Sequence, residues 1–258
     1  MGEYIRDNEE HQIYRDFANR LGKLAAQYQV LNRNLNNHEN YGATLTISLL
    51  HPLLTIYTEI RNRNHRLQFD EFDRPLRDIP DSYGIRLSMV KTFTCCDEFA
   101  RKEDMTFDFV LESIRHALSH PCPILDEQHQ RTGYETVVGQ SGLIEKFRFV
   151  RSSDVFGDSG RPRNYRQDEA ERILGKMSGL NPNHGITLQA VPSRPTNGTP
   201  NCILVDATGE RFVRKIVMEI PLDALKTLVK DLSEYLGRPI EEMMTQQFNG
   251  PRIVRNRR

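Results

Sequence analysis

The stretch that decides the fold prediction reads FDFVLESIRHALSHP and covers residues 107–121. Its apolar side chains recur at helical spacing, so they form one stripe that must face a core; they are Phe107, Val110, Leu111, Ile114 and Leu118. The polar side chains fall on the other side of the wheel, within an arc of roughly 140°; they are Glu112, Arg115, His116, Ser119 and His120. Pro121 disfavours continuation, so the sequence predicts an amphipathic helix that ends near His120.

Helical periodicity predicts further helices in the N-terminal half of the chain. Their ranges are 11–35, 43–60 and 85–99. Pro52 predicts a kink or break in the second of them. After Pro121 the periodicity changes, and alternation around turn residues predicts two hairpins, a single strand and a helix. These cover 134–138 with 143–150, 202–205 with 212–220, 186–191, and 167–177. A leucine stripe between Pro221 and Gly237 predicts a last helix.

These elements predict a mainly α fold with a β-hairpin or small-sheet insertion in the C-terminal half. One domain would cover residues 1–236, with a helical core at 10–122, the β-containing insertion at about 130–220 and a closing helix at 221–236. Residues 237–258 would add a short helix and a basic tail.

The charge balance limits how the chain could contact nucleic acid. Lys and Arg number 35, as do Asp and Glu, so the protein as a whole is not a polycation and only local clusters could bind phosphate. The candidates are Arg61, Arg63 and Arg66, then Arg161 and Arg163, and the four arginines at 252, 255, 257 and 258. A basic tail is equally typical of a solvated chain end.

Cysteine usage and hydropathy indicate a soluble, cytoplasmic protein. The four cysteines, at 95, 96, 122 and 202, form no CxxC pair, which is typical of a reducing compartment. No secretory signal is evident at the N-terminus. The longest apolar tract, residues 43–57, is interrupted by polar residues and falls short of the roughly 20 residues that a membrane span needs.

The polar face of the predicted helix 107–120 suits cleavage of RNA through the ribose 2′-hydroxyl. An imidazole can transfer a proton near neutral pH. A guanidinium can stabilise charge that grows on a phosphate. Because the neighbouring hydroxyl is itself the nucleophile, this chemistry needs no metal ion.

Residues 115–120, RHALSH, resemble the RNA-cleaving motif of HEPN ribonucleases. In that motif an Arg precedes a polar Asn, Asp or His, and a second His follows after three to five further residues. Arg115, His116 and His120 match this order, and the segment closes a helix before Pro121. The predicted strand and helix at 212–236 also resemble one branch of HEPN proteins found on bacterial genomes and plasmids.

The resemblance implies an antiparallel HEPN-like helical bundle and a metal-independent endoribonuclease without a cofactor. Arg115 and His120 would be the catalytic pair, and His116 would be the supporting polar residue. The products would be a 2′,3′-cyclic phosphate and a 5′-hydroxyl. An additional acidic residue of the family would correspond to Glu112, one turn before Arg115, or to Glu59 on an earlier helix.

The resemblance also implies partners. HEPN proteins typically form homodimers in which two motifs share one composite active site, and RNA is the substrate. Many are bacterial toxins or antiviral-defence effectors, which implies an antitoxin or sensor protein as a further partner.

Other interpretations of the same residues stay open. The polar face could be a solvated helix surface with pairing between Glu112 and Arg115 or His116. Zinc could bind His116 and His120 together with Cys122 or His129, although the segment lacks the glutamate that a zincin uses as general base. A HEPN module could also bind RNA, a nucleotide or a protein without cutting. The segment 157–160, GDSG, is interpreted as a loop rather than a serine nucleophile.

Overall fold

The computed structural model describes residues 17–28, 42–63, 71–79, 83–94, 98–120, 132–156, 161–192 and 200–237. The chain divides into two compact units. Unit 1 combines residues 1–69 with residues 226–258, and unit 2 holds residues 70–225. Apart from Gly237, the predicted short helix and basic tail at 237–258 lie outside the described residues, as do both ends of the predicted helix 11–35.

The described part of unit 1 consists of helices. They are α1 (residues 17–28), α2 (Gly42–Arg63) and the part of α5 (Leu222–Leu236) that follows Leu225. Each helix buries an apolar stripe, which includes Ala18 and Leu21 of α1, Leu50, Leu53, Leu54 and Tyr57 of α2, and Leu228, Leu232 and Leu236 of α5. Gly22 permits a close approach of α1 and α5, because a Cβ there would lie 2.6 Å from the hydroxyl of Ser233.

Pro52 does not break α2. The helix runs without interruption from Gly42 to Arg63, so the predicted break is wrong. A proline removes one N–H donor from the helix interior and crowds the preceding turn. Residues on either side of it, including Leu49, Leu50, Leu53 and Leu54, are nearly fully buried. Burial of that stripe outweighs the lost hydrogen bond.

Unit 2 contains a four-stranded antiparallel sheet covered by α3 (Phe107–Ser119). Its strands, in chain order, are β1 (Val90–Phe93), β2 (Gly133–Val138), β3 (Ile144–Ser152) and β9 (Lys215–Pro221). Their order across the sheet is β1-β9-β3-β2, so the central strands come from distant parts of the chain. α3 packs on β3 and β2, where Phe147 and Phe149 are buried.

A ladder of charged side chains crosses three strands of this sheet. Arg148 on β3 donates to Glu219 on β9 at 2.7 Å and to Glu135 on β2, while Lys146 donates to Glu219 at 2.5 Å. These hydrogen bonds lower the pKa of Glu219, first through Lys146 and then through Arg148. Arg148 and Lys146 alternate along β3 with Phe147 and Phe149, so they lie on the face of the sheet away from α3.

A second, smaller layer of unit 2 combines α4 (Gln167–Leu180) with a three-stranded antiparallel sheet. The sheet order is β6-β8-β7, formed by Tyr165–Arg166, Asn201–Val205 and Thr187–Ala190. Its core holds Tyr165, Ala170, Ile173, Met177, Ile186, Cys202 and Leu204. A short ribbon, β4 (Val155–Phe156) with β5 (Arg161–Pro162), precedes it. Short 3-10 helices cover Leu76–Asp78, Leu87–Met89 and Lys102–Asp104.

The prediction of a mainly α, HEPN-like antiparallel helical bundle with a small β insertion is wrong. The structure is a mixture of helices and strands with two antiparallel sheets of four and three strands. Part of the predicted helix 85–99 is instead the 3-10 turn Leu87–Met89 and strand β1, which pairs with β9. The predicted hairpin of 202–205 with 212–220 forms only next to its turn, where Val205 bridges Arg211 and the Phe212 N–H donates to the Leu204 carbonyl at 2.8 Å. Beyond the turn the strands separate, because β8 pairs with β6 and β7 whereas β9 pairs with β1 and β3. A short apolar run fits the periodicity of a helix and that of a strand, and which of the two forms depends on the distant segment with which it pairs.

The structure bears on two of the expectations, the absence of a membrane-spanning helix and the presence of free thiols. None of the described helices is both long enough and apolar enough to cross a membrane. Cys202 is a buried thiol outside any disulfide. The other three cysteines, at 95, 96 and 122, lie outside the described residues.

Candidate active site

Helix α3 supplies most of the candidate site. The hydroxyl of Thr106 caps its N-terminus by accepting a hydrogen bond from the backbone N–H of Phe109 at 3.2 Å. The helix ends after Ser119, and His120 follows as the C-cap residue with φ −122° and ψ 69°. The predicted helix 107–120 is therefore confirmed to within one residue.

The buried surface of α3 is wider than the predicted stripe. Phe109, Ser113 and Ala117 are buried in addition to the apolar residues of that stripe. Glu112, Arg115 and His116 are consequently half-buried, whereas Ser119 and His120 at the end of the helix are exposed. The polar arc is thus accessible mainly at its C-terminal end.

His116 and His120 lie side by side. Their ring centroids are 4.7 Å apart, and the rings are tilted by 58°. Within the described part of the chain, neither imidazole has a hydrogen-bond partner. The pKa of His116 is lowered, first by burial and then by the positive charges of Arg151, His120 and Arg115, while Glu112 acts in the opposite direction. His116 is therefore neutral at pH 7 and able to accept a proton.

Arg151, at the end of β3, belongs to the same site and was not predicted from the sequence. Its Nη1 donates to the hydroxyl of Ser113 at 3.2 Å, and its guanidinium lies over the Phe109 ring at 4.8 Å. Its Nη2 is 3.8 Å from a carboxylate oxygen of Glu112. A signal did exist in the sequence, because Arg151 follows Phe147 and Phe149 at every second position of a strand and so shares their face.

Arg115 lies one residue before His116 and is half-buried. Its Nε is fully buried and has no hydrogen-bond partner among the described residues. An unpartnered buried donor carries a desolvation cost of about 1–3 kcal/mol.

The other predicted site residues are distributed over both units. Glu59 and Arg61 lie on α2 in unit 1, whereas the motif lies in unit 2. Arg63 is the last residue of α2, and Arg66 lies outside the described residues.

The second predicted basic pair is placed in the region of the smaller sheet. Arg161 forms part of β5. Arg163 donates to Glu169 at 2.8 Å, and its guanidinium lies 4.9 Å from the Tyr165 ring centroid. Those contacts give Arg163 a role in packing.

The residues proposed for zinc are only partly described. No group of three or more His, Cys, Asp or Glu side chains that could hold a metal ion occurs among the described residues. Cys122 and His129, the additional ligands considered, lie outside them, as does the segment 157–160.

His184, which follows α4, has a hydrogen-bond partner at each of its ring nitrogens. The backbone N–H of Ile186 donates to its Nδ1 at 2.8 Å, so Nδ1 carries no proton. The proton of the neutral ring is therefore on Nε2, which lies 2.9 Å from the hydroxyl of Ser178. Nε2 then donates to Ser178 and cannot act as its base.

Comparison of the chain with protein-family models, with curated proteins and with solved structures found no match. The resemblance to HEPN ribonucleases therefore rests on the residues of the motif.

Proposed function

We propose that the protein is a metal-independent endoribonuclease that cleaves RNA through the 2′-hydroxyl. The observation that supports this proposal is the pair of imidazoles at the open end of α3, flanked by two guanidinium groups. The rings of His116 and His120 are 4.7 Å apart, and the positive charges of Arg115 and Arg151 both act on His116. Two proton-transferring groups beside cationic donors are what phosphodiester cleavage by acid–base catalysis requires.

The proposed reaction gives each residue a task. Neutral His116 accepts the proton of the 2′-hydroxyl, and the 2′-oxygen attacks the adjacent phosphorus. The bond from phosphorus to the 5′-oxygen breaks, and protonated His120 donates a proton to that oxygen. The products are a 2′,3′-cyclic phosphate and a 5′-hydroxyl.

The guanidinium groups and Glu112 have supporting tasks. Arg115 donates to the phosphate oxygens, where negative charge accumulates in the transition state. Glu112 faces Arg151 at 3.8 Å and moderates the positive field around His116. His116 thus takes a larger part than the supporting one that the HEPN resemblance implies.

The biological setting in this proposal comes from the HEPN resemblance. It comprises a cytoplasmic bacterial toxin or antiviral-defence effector, a homodimer with a composite site, and an antitoxin or sensor partner that restrains the activity. A homodimer would bring a second copy of Arg115 and His120 to the same cleft.

The test is incubation of the purified full-length protein with a mixed pool of single-stranded RNA, with and without EDTA. We expect cleavage in both conditions, with products that end in a 2′,3′-cyclic phosphate. His120→Ala and Arg115→Ala should lose the activity. Ser119→Ala, which replaces the exposed residue before His120, and Arg101→Ala, which replaces an exposed arginine paired with Asp104, should keep it.

Two results would contradict this proposal. Loss of all cleavage on addition of EDTA would show that a metal ion does the chemistry. Retention of an intact RNA pool that the protein nevertheless binds would favour the non-catalytic binding module instead.

A further inference from the structure

One edge of the four-stranded sheet in unit 2 is open. β2 (Gly133–Val138) pairs with β3 on one side, and no other described strand lies along its second side. The backbone N–H and C=O groups that point to that side therefore have no strand partner in the described part of the chain. With six residues, β2 is longer than the other edge strands that the structure describes, so its free side has room for a further strand.

The other sheet edges carry features that discourage pairing with another chain. β1, at the opposite edge, has four residues, exposes Lys91 and shifts its register between Val90 and Thr92. In the smaller sheet, the edge strands β6 and β7 have two and four residues. Short strands, edge lysines and irregular register all oppose edge-to-edge association. β2 contains no lysine or proline, and the extra residue at its own register shift, Glu145, lies on β3.

The side chains on the α3 face of β2 become more exposed toward the end of the strand. Tyr134, Thr136 and Val138 share this face, because alternate residues of a strand lie on the same side. Tyr134 is half-buried with its ring centroid 6.2 Å from that of Phe149, whereas Thr136 is exposed and Val138 is 55% exposed. Leu143, across the turn from Val138, is 51% exposed. Two large apolar side chains thus lie in water beside the open edge.

The sequence of β2 is complementary to itself in one antiparallel register. When Thr136 faces Thr136 of a second copy, Tyr134 of each copy lies opposite Val138 of the other, and Glu135 lies opposite Val137. An aromatic residue opposite a β-branched one is a favourable cross-strand pair. A register centred on Glu135 would instead place two carboxylates directly opposite each other, which is destabilising.

We propose that two copies of this chain associate through β2, with the two strands antiparallel about a two-fold axis at Thr136. The interface is isologous, and it joins the two four-stranded sheets into one sheet that runs through both copies. A single pair of edge strands buries a small area, so the dimer should dissociate on dilution. The inference assigns an interface to the proposed homodimer, and it does not rest on RNA cleavage.

The experiment is sedimentation equilibrium of the full chain at a series of concentrations in a buffer of low ionic strength. We expect a dimer that dissociates on dilution. Thr136→Lys and Thr136→Glu each place like charges opposite each other at the two-fold axis, so each should raise the dimer dissociation constant by about tenfold or more. An equimolar mixture of the two variants should restore the dimer, because a lysine of one copy then faces a glutamate of the other.

Further variants control for charge and for folding. Thr187→Lys is the matched control, because Thr187 is an exposed threonine on the edge strand β7 of the smaller sheet; it should leave the dissociation constant unchanged. Val138→Ser adds no charge but removes an exposed apolar side chain that faces Tyr134 in the proposed register, so it should also weaken the dimer. Circular dichroism gives the folded fraction of each variant.

A wild-type protein that stays monomeric at every concentration would overturn the proposal. A dimer that neither Thr136→Lys nor Val138→Ser weakens would overturn it too, as would a mixture of Thr136→Lys with Thr136→Glu that stays monomeric. His120→Ala separates this test from the test of the proposed function. That variant should lose RNA cleavage and dimerise as the wild type does.

Discussion

The two helix-on-sheet layers of unit 2 end in histidines that differ in their surroundings. At the end of α3, His116 and His120 touch each other and have no hydrogen-bond partner among the described residues. After α4, both ring nitrogens of His184 are engaged, by the Ile186 backbone and by Ser178. The same residue type thus closes a loop in the smaller layer and remains available for chemistry in the larger one.

The difference teaches that hydrogen-bond partners separate a structural histidine from a candidate catalytic one better than sequence position does. A serine and a histidine within hydrogen-bond distance, such as Ser178 and His184, would suggest a nucleophile and its base. The proton on Nε2 excludes that role in the neutral ring. No hydrogen bond among the described residues fixes the ring proton of His116 or His120 on one nitrogen.

Alanine substitution of one histidine from each layer should give the largest difference in activity. His120→Ala should lower RNA cleavage by about 100- to 10,000-fold, the usual range for loss of an acid–base group. His184→Ala should leave the cleavage rate per folded molecule unchanged. The measurement is single-turnover cleavage of a labelled RNA, with the folded fraction of each variant determined by circular dichroism. An equal loss in both variants would remove the distinction between the two histidines.

Asp154 connects the two layers, so its loss should be the most damaging to stability. Its carboxylate accepts from Arg214, beside the four-stranded sheet, and from Tyr165, in the three-stranded sheet. Asp154→Ala should lower the free energy of unfolding by about 3–5 kcal/mol, because it removes the carboxylate that pairs with the buried Arg214 guanidinium. Urea denaturation would measure this. The control Asp168→Ala removes an exposed partner of Arg166 and should cost about 1 kcal/mol or less; equal costs would contradict the assignment.

The pH dependence should report the surroundings of His116. Its folded-state pKa is lowered, so the unfolded chain binds more protons between that pKa and the ordinary value of about 6.5. The contribution of neutral His116 to the free energy of unfolding is therefore fully present above about pH 6.5. It is lost as the pH falls through the folded-state pKa of His116. The acid limb of the kcat/KM profile should likewise lie below pH of about 6.5.

Arg151→Gln should move that acid limb to higher pH. The substitution removes a positive charge that lowers the pKa of His116, while burial and the charges of His120 and Arg115 continue to lower it and Glu112 continues to oppose them. The measurement is kcat/KM for RNA cleavage at a series of pH values. Arg101→Gln, which replaces an exposed arginine paired with Asp104, is the control and should leave the limb in place. An unmoved limb in Arg151→Gln would show that Arg151 does not influence the acting base.

Ser178→Ala should have the smallest effect. It removes the hydroxyl that accepts from His184 Nε2, and a single hydrogen bond of this kind contributes about 1 kcal/mol. The free energy of unfolding should fall by that amount, and RNA cleavage should stay as in the wild type. A loss of cleavage would instead assign chemistry to the smaller layer.

Local sequence patterns predicted several elements well. The helix at 107–120, the hairpin of β2 and β3 and the closing helix that stops before Gly237 all appear close to their predicted bounds. Each depends on periodicity or turn residues within one short segment. The motif in α3 was recognisable for the same reason, because its residues are neighbours on a single helix.

Contacts between distant segments were not predictable in the same way. β1 is four residues long, and its apolar residues fit a helix as well as a strand until β9 pairs with it. Arg151 reaches the site through the register of β3 against α3, which no local spacing records. The fold class was wrong for this reason, whereas the helix that carries the candidate site was right.

The charged ladder on the sheet has a consequence for how β3 finds its place. Arg148 meets Glu219 and Glu135 only when β3 is aligned with both neighbours as observed. A slip by one residue would turn Arg148 and Lys146 toward α3 and bring Phe147 and Phe149 out into solvent. It would also carry Arg151 away from Ser113. The ladder therefore favours one register of β3. Salt bridges on the far face of the sheet in this way help to place the Arg151 guanidinium beside His116.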